Sequence, residues 1–563
     1  MDTHGSTSGR AGRDGDGGAD QAGPRRTERV PGRQGDPPQD QVPGAGAGAG
    51  TGAGAANPSV ELTVSQRTYL AAEAGPQDLH AILTVAVRGL PDTAAGPVGA
   101  HPGPHPGAHP GPHSSPRSGP GSGLAEVLVV DCSASMNHPE RKMHAARQAA
   151  VAALRALPDG TPFAVVRGTQ FAATVYPPSG PMRPASARTR AEATRAVYAM
   201  QPTGGTCVGN WLDLAGTLLA EQAAPIPHVL MLTDGKNEHD DHNPLAGVLD
   251  TWEGRFLCDA WGIGRDWDAR VLIDVTRRLH GSADAVHEES ELPAAYTALV
   301  ADLLARPLPE LEIRVTPSPG ATLRWLRQTF PHELALPQRQ MGTAVAFTTR
   351  AWGNQVRRFQ LCLTVDPAGR ALDEDLQAAA VAVALPAGPE RYGRAAQVAL
   401  PPAVACEVRW TADPVLAAAE NEEDEHFEKY RRLGETAAQA AEAFRLDRDD
   451  EVLRLLGVAV ALAHELGAQR QLAELQRIVE IRDPAAGHVV LRKGVTADAF
   501  EHLVTASTHT THGPTTDGLP PGAVPVVPVA GLVDCAQCRA PMPSNARFCP
   551  KCRHPHVPGA GAR

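Results

Sequence analysis

Aromatic side chains are scarce in this chain, 4% of its 563 residues, so any large core must be built mostly from aliphatic residues and alanine. No run of about 18 apolar residues occurs, which excludes a sequence-evident membrane-crossing helix. The opening stretch MDTHGSTSGRAGRDGDGG lacks the apolar segment of a secretory signal, and the expectation is a protein kept in the cytoplasm. Basic excess is missing too. With 52 Lys+Arg against 63 Asp+Glu, a net charge of −11, the chain as a whole has no positive field for a phosphate backbone, and nucleic acid is a poor candidate partner.

What is plentiful is glycine, 55 residues, and proline, 51, and both are concentrated in particular stretches. Residues 1–57, with the tract AGAGAGTGAGA, cannot bury enough apolar surface to offset chain entropy and read as a disordered tail. Residues 91–123 form a second tract in which His101, His105, His109 and His113 recur every four residues. It reads as an extended spacer, because no folded frame would gather the imidazoles. Residues 507–531 are a third linker.

Between these tracts, residues 58–90 contain two alternating stretches, VELTVS and HAILTVAV, that predict strands. Two strands alone are marginal, and the only other strand-rich region is 306–412. The expectation is a β-sandwich assembled from both flanks of an inserted domain. That insert, 124–305, alternates apolar runs such as AEVLVV, PFAVVRG and HVLMLT with amphipathic stretches such as KMHAARQAAVAALRAL. The pattern predicts an α/β fold, a doubly wound, mostly parallel sheet with helices on both faces. Residues 413–506 read as helical. Within them Glu422, Glu423, Asp424 and Glu425 read as a solvated helix face.

The insert carries the chemistry. Its first strand ends in DCSAS, placing Asp131, Ser133 and Ser135 in the loop at the carboxyl edge of the sheet, where ligands of such sheets sit. GGT brings Thr206 and TDG brings Asp234 to the same edge. Hydroxyls and carboxylates suit a hard divalent cation such as Mg²⁺. Two carboxylates would balance one such ion, and the near-neutral centre would accept a further carboxylate from outside. The neighbouring NEHDDHN, residues 237–243, offers Glu238, Asp240 and Asp241 and reads as a solvated loop.

DCSAS, GGT and TDG in this order resemble the von Willebrand factor A family and its metal-ion-dependent adhesion site. The resemblance covers 124–305. It implies that Ser133, Ser135 and Thr206 coordinate Mg²⁺ (or Mn²⁺) directly or through water, that Asp131 and Asp234 act largely through bound waters, and that an acidic residue of a partner protein completes the shell. Ala134 stands where the family often has glycine, and no ligand position is lost.

At the far end, CAQCRAPMPSNARFCPKC presents Cys535, Cys538, Cys549 and Cys552 with C-x2-C-x10-C-x2-C spacing. Four thiolates in two knuckles suit tetrahedral Zn²⁺ in a closed, structural site, and a module as small as 532–556 would need the metal to fold. It resembles a zinc ribbon of bacterial regulatory proteins. The remaining five cysteines, Cys132, Cys207, Cys258, Cys362 and Cys406, lie mostly in apolar surroundings and read as small buried residues.

Catalytic signatures are missing: Gly235-Lys236 is followed by Asn237 rather than Ser or Thr, HELGA and HEES do not make H-E-x-x-H, and no G-x-S-x-G surrounds Ser133 or Ser135. The expectation is therefore a binding protein and not an enzyme. Bacterial proteins resembling this arrangement often accompany a Ser/Thr kinase and a metal-dependent phosphatase, which implies a signalling adaptor; the abundance of Ala, Gly, Arg and Pro fits a GC-rich, actinobacterial type of source. Two rival readings stand beside it. One is a substrate-presenting subunit of an ATPase or chelatase-like machine; the other is nucleic-acid binding through the zinc ribbon, which Arg539, Arg547, Lys551 and Arg553 make locally basic.

Overall fold

The computed structural model describes residues 57–90, 123–137, 141–386, 397–512, 532–539, 541–543 and 554. Almost all of the expected 1–57 tail and of the 91–123 spacer, and most of the 507–531 linker, lie outside the described residues. So do Cys549 and Cys552.

The insert is built on a seven-stranded sheet. Strand Leu124–Asp131 is buried at every position and sits at its centre, parallel to Ile226–Thr233 on one side and Pro162–Gly168 on the other. Leu257–Gly262 and Ala283–Ala285 extend the parallel set, and Ala172–Tyr176 closes the opposite edge antiparallel. Strands that must be apolar on both faces need cover on both. Helices Arg141–Ala156 and Leu292–Leu304 pack on one face through Met143, Ala146, Ala150, Tyr296 and Val300. Helices Val208–Ala220, Leu245–Trp252 and Ala269–Arg278 cover the other, where Trp211, Leu249 and Leu272 are buried. In a chain poor in aromatics, four tryptophans, Trp211, Trp252, Trp261 and Trp267, lie buried in this one domain.

Strands from both sides of the insert pair with each other. Ser59–Gln66 and Gln77–Arg88 form an antiparallel pair, and Gln77–Arg88 then pairs with Val356–Val365, Ala86 opposite Val356. With Ala321–Phe330 and Leu334–Ala335 they make a five-stranded sheet; a six-stranded sheet runs Gln338–Met341, Ala344–Trp352, Leu308–Pro317, Asp375–Ala384, Val404–Thr411 and Tyr69–Ala71. The two sheets share one apolar cluster, with Leu83, Phe359 and Leu361 from the first and Ile313, Phe347, Val381 and Trp410 from the second.

The helical tail departs from the sequence reading in three places. Asn421 caps a new helix by accepting from the Asp424 amide at 2.9 Å, so the first part of the region that reads as helical divides into Pro414–Ala417 and Glu422–Arg445. Helix Gln469–Ile478 passes directly into a hairpin, Val479–Asp483 with His488–Leu491, at a point where Ile478, Val479 and Ile481 place three β-branched residues close together. The acidic run is a solvated face only at Glu422 and Glu425, which are exposed. Asp424 accepts from Gln360 and lies 3.1 Å from His80 Nδ1, and Glu423 is buried 3.7 Å from the buried Arg358 guanidinium. Charge alone predicted exposure; at Glu423 and Asp424, partners from another sheet, invisible in the local sequence, reversed it.

The tail is continuous with the insert. Tyr430, Leu433, Ala463, Phe500 and Leu503 belong to the same buried cluster as Val127, Trp211 and Leu272. Glu501 Oε2 accepts from the Ala269 amide at 2.9 Å, serving the amino end of Ala269–Arg278, while its other oxygen takes Arg445 at 2.7 Å. Among the described residues no helix is long and apolar enough to cross a membrane.

Candidate metal centre

Register delivers the first two groups. Val130 lies opposite Leu232 in the parallel pair, so Asp131 and Thr233 leave the sheet side by side, and the Thr233 hydroxyl donates to Asp131 Oδ2 at 2.6 Å. The chain then turns into a short 3-10 segment, Ala134–Asn137. The Ser133 amide donates to Asp131 Oδ1 at 2.7 Å, which folds the loop back onto its own acid. Ser133 and Ser135 hydroxyls lie 2.9 Å apart, and Ser135 donates to Asp234 Oδ1 at 2.8 Å.

Thr206 arrives on a loop shaped by its glycines. Gly204 holds φ at +73°, and its carbonyl accepts from the Ala134 amide at 2.9 Å, fastening the two loops together. Asn237 Oδ1 accepts from the Val208 amide at 2.9 Å, serving the amino end of the helix that follows Thr206. A Cβ at Gly235 would stand 2.9 Å from Thr206 Oγ1 and 3.4 Å from Asp131 Oδ2, so both oxygens face the same small space, and glycine keeps it clear. All five sequence-predicted oxygen donors are thus gathered at the carboxyl edge of the sheet. Asp131, Ser133, Thr206 and Asp234 are buried there.

Burial has an electrostatic consequence. Desolvation first, and the Asp234 charge second, push Asp131 up to about 6, against hydrogen bonds from Ser133 and Thr233 that favour its ionised form. Asp234 is likewise raised by burial, although Lys142 and Ser135 oppose this. Two buried carboxylates held short of their ordinary acidity form a deficit of positive charge, and a divalent cation among hard oxygens would relieve it. The donor set fits Mg²⁺ or Mn²⁺.

One participant escaped the sequence reading. Lys142 Nζ lies 2.7 Å from Asp234 Oδ2 and 3.0 Å from Asp266 Oδ2, with the lysine 3% exposed and Asp234 fully buried. On an amphipathic helix a lysine is ordinary. Only the tertiary fold turns this one inward, and Asp266 is brought to it from the loop after Leu257–Gly262. The NEHDDHN loop is partly structural: Asp240 Oδ1 accepts from Asn237 Nδ2 at 2.7 Å and from the Leu245 amide at 2.8 Å.

At the far end, strands Leu532–Asp534 and Pro541–Pro543 form a hairpin whose turn carries Cys535 and Cys538, and the Arg539 amide donates to the Cys535 carbonyl at 2.9 Å. The other pair, Cys549 and Cys552, lies outside the described residues. Cys132, Cys207, Cys258, Cys362 and Cys406 are all buried, as expected.

A mostly parallel sheet covered by helices on both faces, with two acids and three hydroxyls gathered at its carboxyl edge, defines an α/β domain, and comparison with known proteins gives its class a name. Residues 126–285 match the family model of the von Willebrand factor type A domain; the chain carries such a domain. It is similar to the solved von Willebrand factor type A protein from Catenulispora acidiphila, at 26% identity and a TM-score of 0.67, over 82% of this chain and 99% of that one. That likeness extends well beyond the matched segment. A structure of the ArnB paralog VWA2 from Sulfolobus acidocaldarius aligns at 13% identity and a TM-score of 0.46, over 81% of this chain and all (100%) of that one. Proximal thread matrix protein 1 from the mussel byssus, solved with zinc in its adhesion-site motif, aligns at 19% identity and a TM-score of 0.28, over 34% of this chain and 50% of that one. No curated protein matches the sequence.

Proposed function

We propose that the chain is a metal-dependent protein-binding scaffold and not an enzyme. Asp131, Ser133, Ser135, Thr206 and Asp234 hold Mg²⁺ or Mn²⁺ at the sheet edge, and a carboxylate from a partner protein completes the shell. The observation that carries this reading is the meeting of two buried, desolvated acids with three hydroxyls at one point. The sheets flanking the insert act as a sandwich that carries it, and Cys535, Cys538, Cys549 and Cys552 close a structural Zn²⁺ ribbon. A signalling setting beside a kinase or phosphatase rests on resemblance alone.

The test is capture from a native lysate, with and without chelator, using wild type and Asp131→Ala. A specific partner retained by wild type in Mg²⁺ should be lost in both treatments. Partners kept through both treatments would move the binding surface elsewhere.

A further inference from the structure

Away from the sheet edge, three ligand-type side chains from distant parts of the sequence meet where the tail docks. His287 follows strand Ala283–Ala285 of the insert, Glu474 lies on Gln469–Ile478, and His502 on Ala497–Ala506. Their ligand atoms all lie within 4.8 Å of one another. His287 Nε2 is 2.9 Å from Glu474 Oε1, and the two imidazoles stack with centroids 4.0 Å apart at 21°. Trp267 sets its ring edge-on against His502 at 5.4 Å, walling the buried histidine from behind.

A bracket between His287 and Glu474 accounts for only part of this. It occupies one ring nitrogen and one oxygen. Glu474 Oε2 is buried without a hydrogen-bond partner, its nearest cation being the half-exposed Arg477 at 3.8 Å. The His502 imidazole is turned toward the same point, and the residue is 6% exposed. A buried carboxylate oxygen left in the condition of Glu474 Oε2 is uncommon and costly.

We infer that His287, Glu474 and His502 form a Zn²⁺ site that fastens the helical tail to the insert. Two imidazoles and one carboxylate are a standard ligand set for Zn²⁺, with nitrogen and oxygen at about 2.0–2.2 Å. Ligand atoms around a tetrahedral ion stand about 3.4 Å apart, and imidazole lone pairs lie in their ring planes, so the partly exposed His287 ring must turn out of its stack on His502 for both nitrogens to meet one ion. A fourth position is left for water or another group. The site shares no residue with the adhesion-type centre or with the cysteine cluster.

The test is a Zn²⁺ titration of the full chain after chelator treatment, followed by calorimetry and by metal counting. His287→Ala and Glu474→Gln, at side chains that are not deeply buried, should each bind one Zn²⁺ fewer than wild type, or bind it at least a hundredfold more weakly. Asp131→Ala should keep that ion. Hydrogen exchange in Gln469–Ile478 and Ala497–Ala506 should slow on adding Zn²⁺ to wild type and stay unchanged in His287→Ala. Equal stoichiometry and affinity in all four proteins would overturn the proposal, as would loss of the ion in Asp131→Ala alone.

Discussion

Lys142→Met is the sharpest probe of the metal centre, because one ammonium stands where the ion's charge would also act. The lysine is 3% exposed and 2.7 Å from a fully buried Asp234 oxygen. At that distance and an effective dielectric near 20, the attraction is about 6 kcal/mol. Desolvation of both partners reduces the net cost of breaking such a pair to about 3–5 kcal/mol. Asp266 adds less than about 1 kcal/mol because it is two-thirds exposed. Methionine keeps the packing and leaves Asp234 with the Ser135 hydroxyl, so in chelator the variant should lose most of that 3–5 kcal/mol in urea unfolding followed by tryptophan fluorescence. Mg²⁺ then decides the argument. In wild type, an ion at a hundredfold excess over its Kd returns about 2.7 kcal/mol. In Lys142→Met the ion no longer shares Asp234 with a cation, so its affinity should rise tenfold or more, a gain of at least about 1.4 kcal/mol. Equal Mg²⁺-dependent gains in the two proteins would refute the idea that lysine and metal draw on the same carboxylate.

A second ion cluster, at the other end of the same strands, makes a prediction about pH. His228 is fully buried between Glu126 at 2.8 Å and Asp259 at 3.0 Å; burial pulls its pKa down, but the Glu126 charge and the hydrogen bonds to both acids outweigh this and raise it to about 9. Because the folded value exceeds the unfolded value of about 6.5, this stabilisation is complete below pH 6.5 and is lost as pH rises through 9. His228→Leu should cost about 3–5 kcal/mol at pH 6, and its urea midpoint should lack the wild-type decline between pH 6.5 and 9. Gly235→Ala puts a methyl group 2.9 Å from Thr206 Oγ1; it should cost about 1–3 kcal/mol without metal and abolish the Mg²⁺-dependent shift in unfolding midpoint. Glu501→Ala frees the Ala269 amide and Arg445. It should cost about 2 kcal/mol and speed hydrogen exchange at the amino end of Ala269–Arg278, whereas unchanged exchange there would show that the contact holds nothing.

Much of the insert was legible because its strands are apolar on both faces and end abruptly in oxygen-bearing residues. Leu124–Asp131 is buried throughout, and Asp131, Thr206 and Asp234 each follow a strand or loop whose direction the alternation of elements determines. Lys142 was not legible. Its position depends on how a helix rotates against the sheet, and a charged residue on an amphipathic helix signals a solvated face far more often than a counter-ion. Asp424 failed for the mirror reason, since its partners Gln360 and His80 lie on strands that no local pattern connects to it. His287, Glu474 and His502 obey no spacing rule, because their meeting is a property of how the tail docks.

The pairing of Ala86 with Val356 also has a consequence for the newborn chain. During synthesis at roughly 5–20 residues per second, the hairpin of Ser59–Gln66 and Gln77–Arg88 emerges tens of seconds before the strand that covers its open edge. Throughout that interval it is a bare apolar ribbon with unpaired amides, the kind of surface to which stray strands adhere. The insert has time to fold meanwhile, and the last-made strands close over a unit already formed.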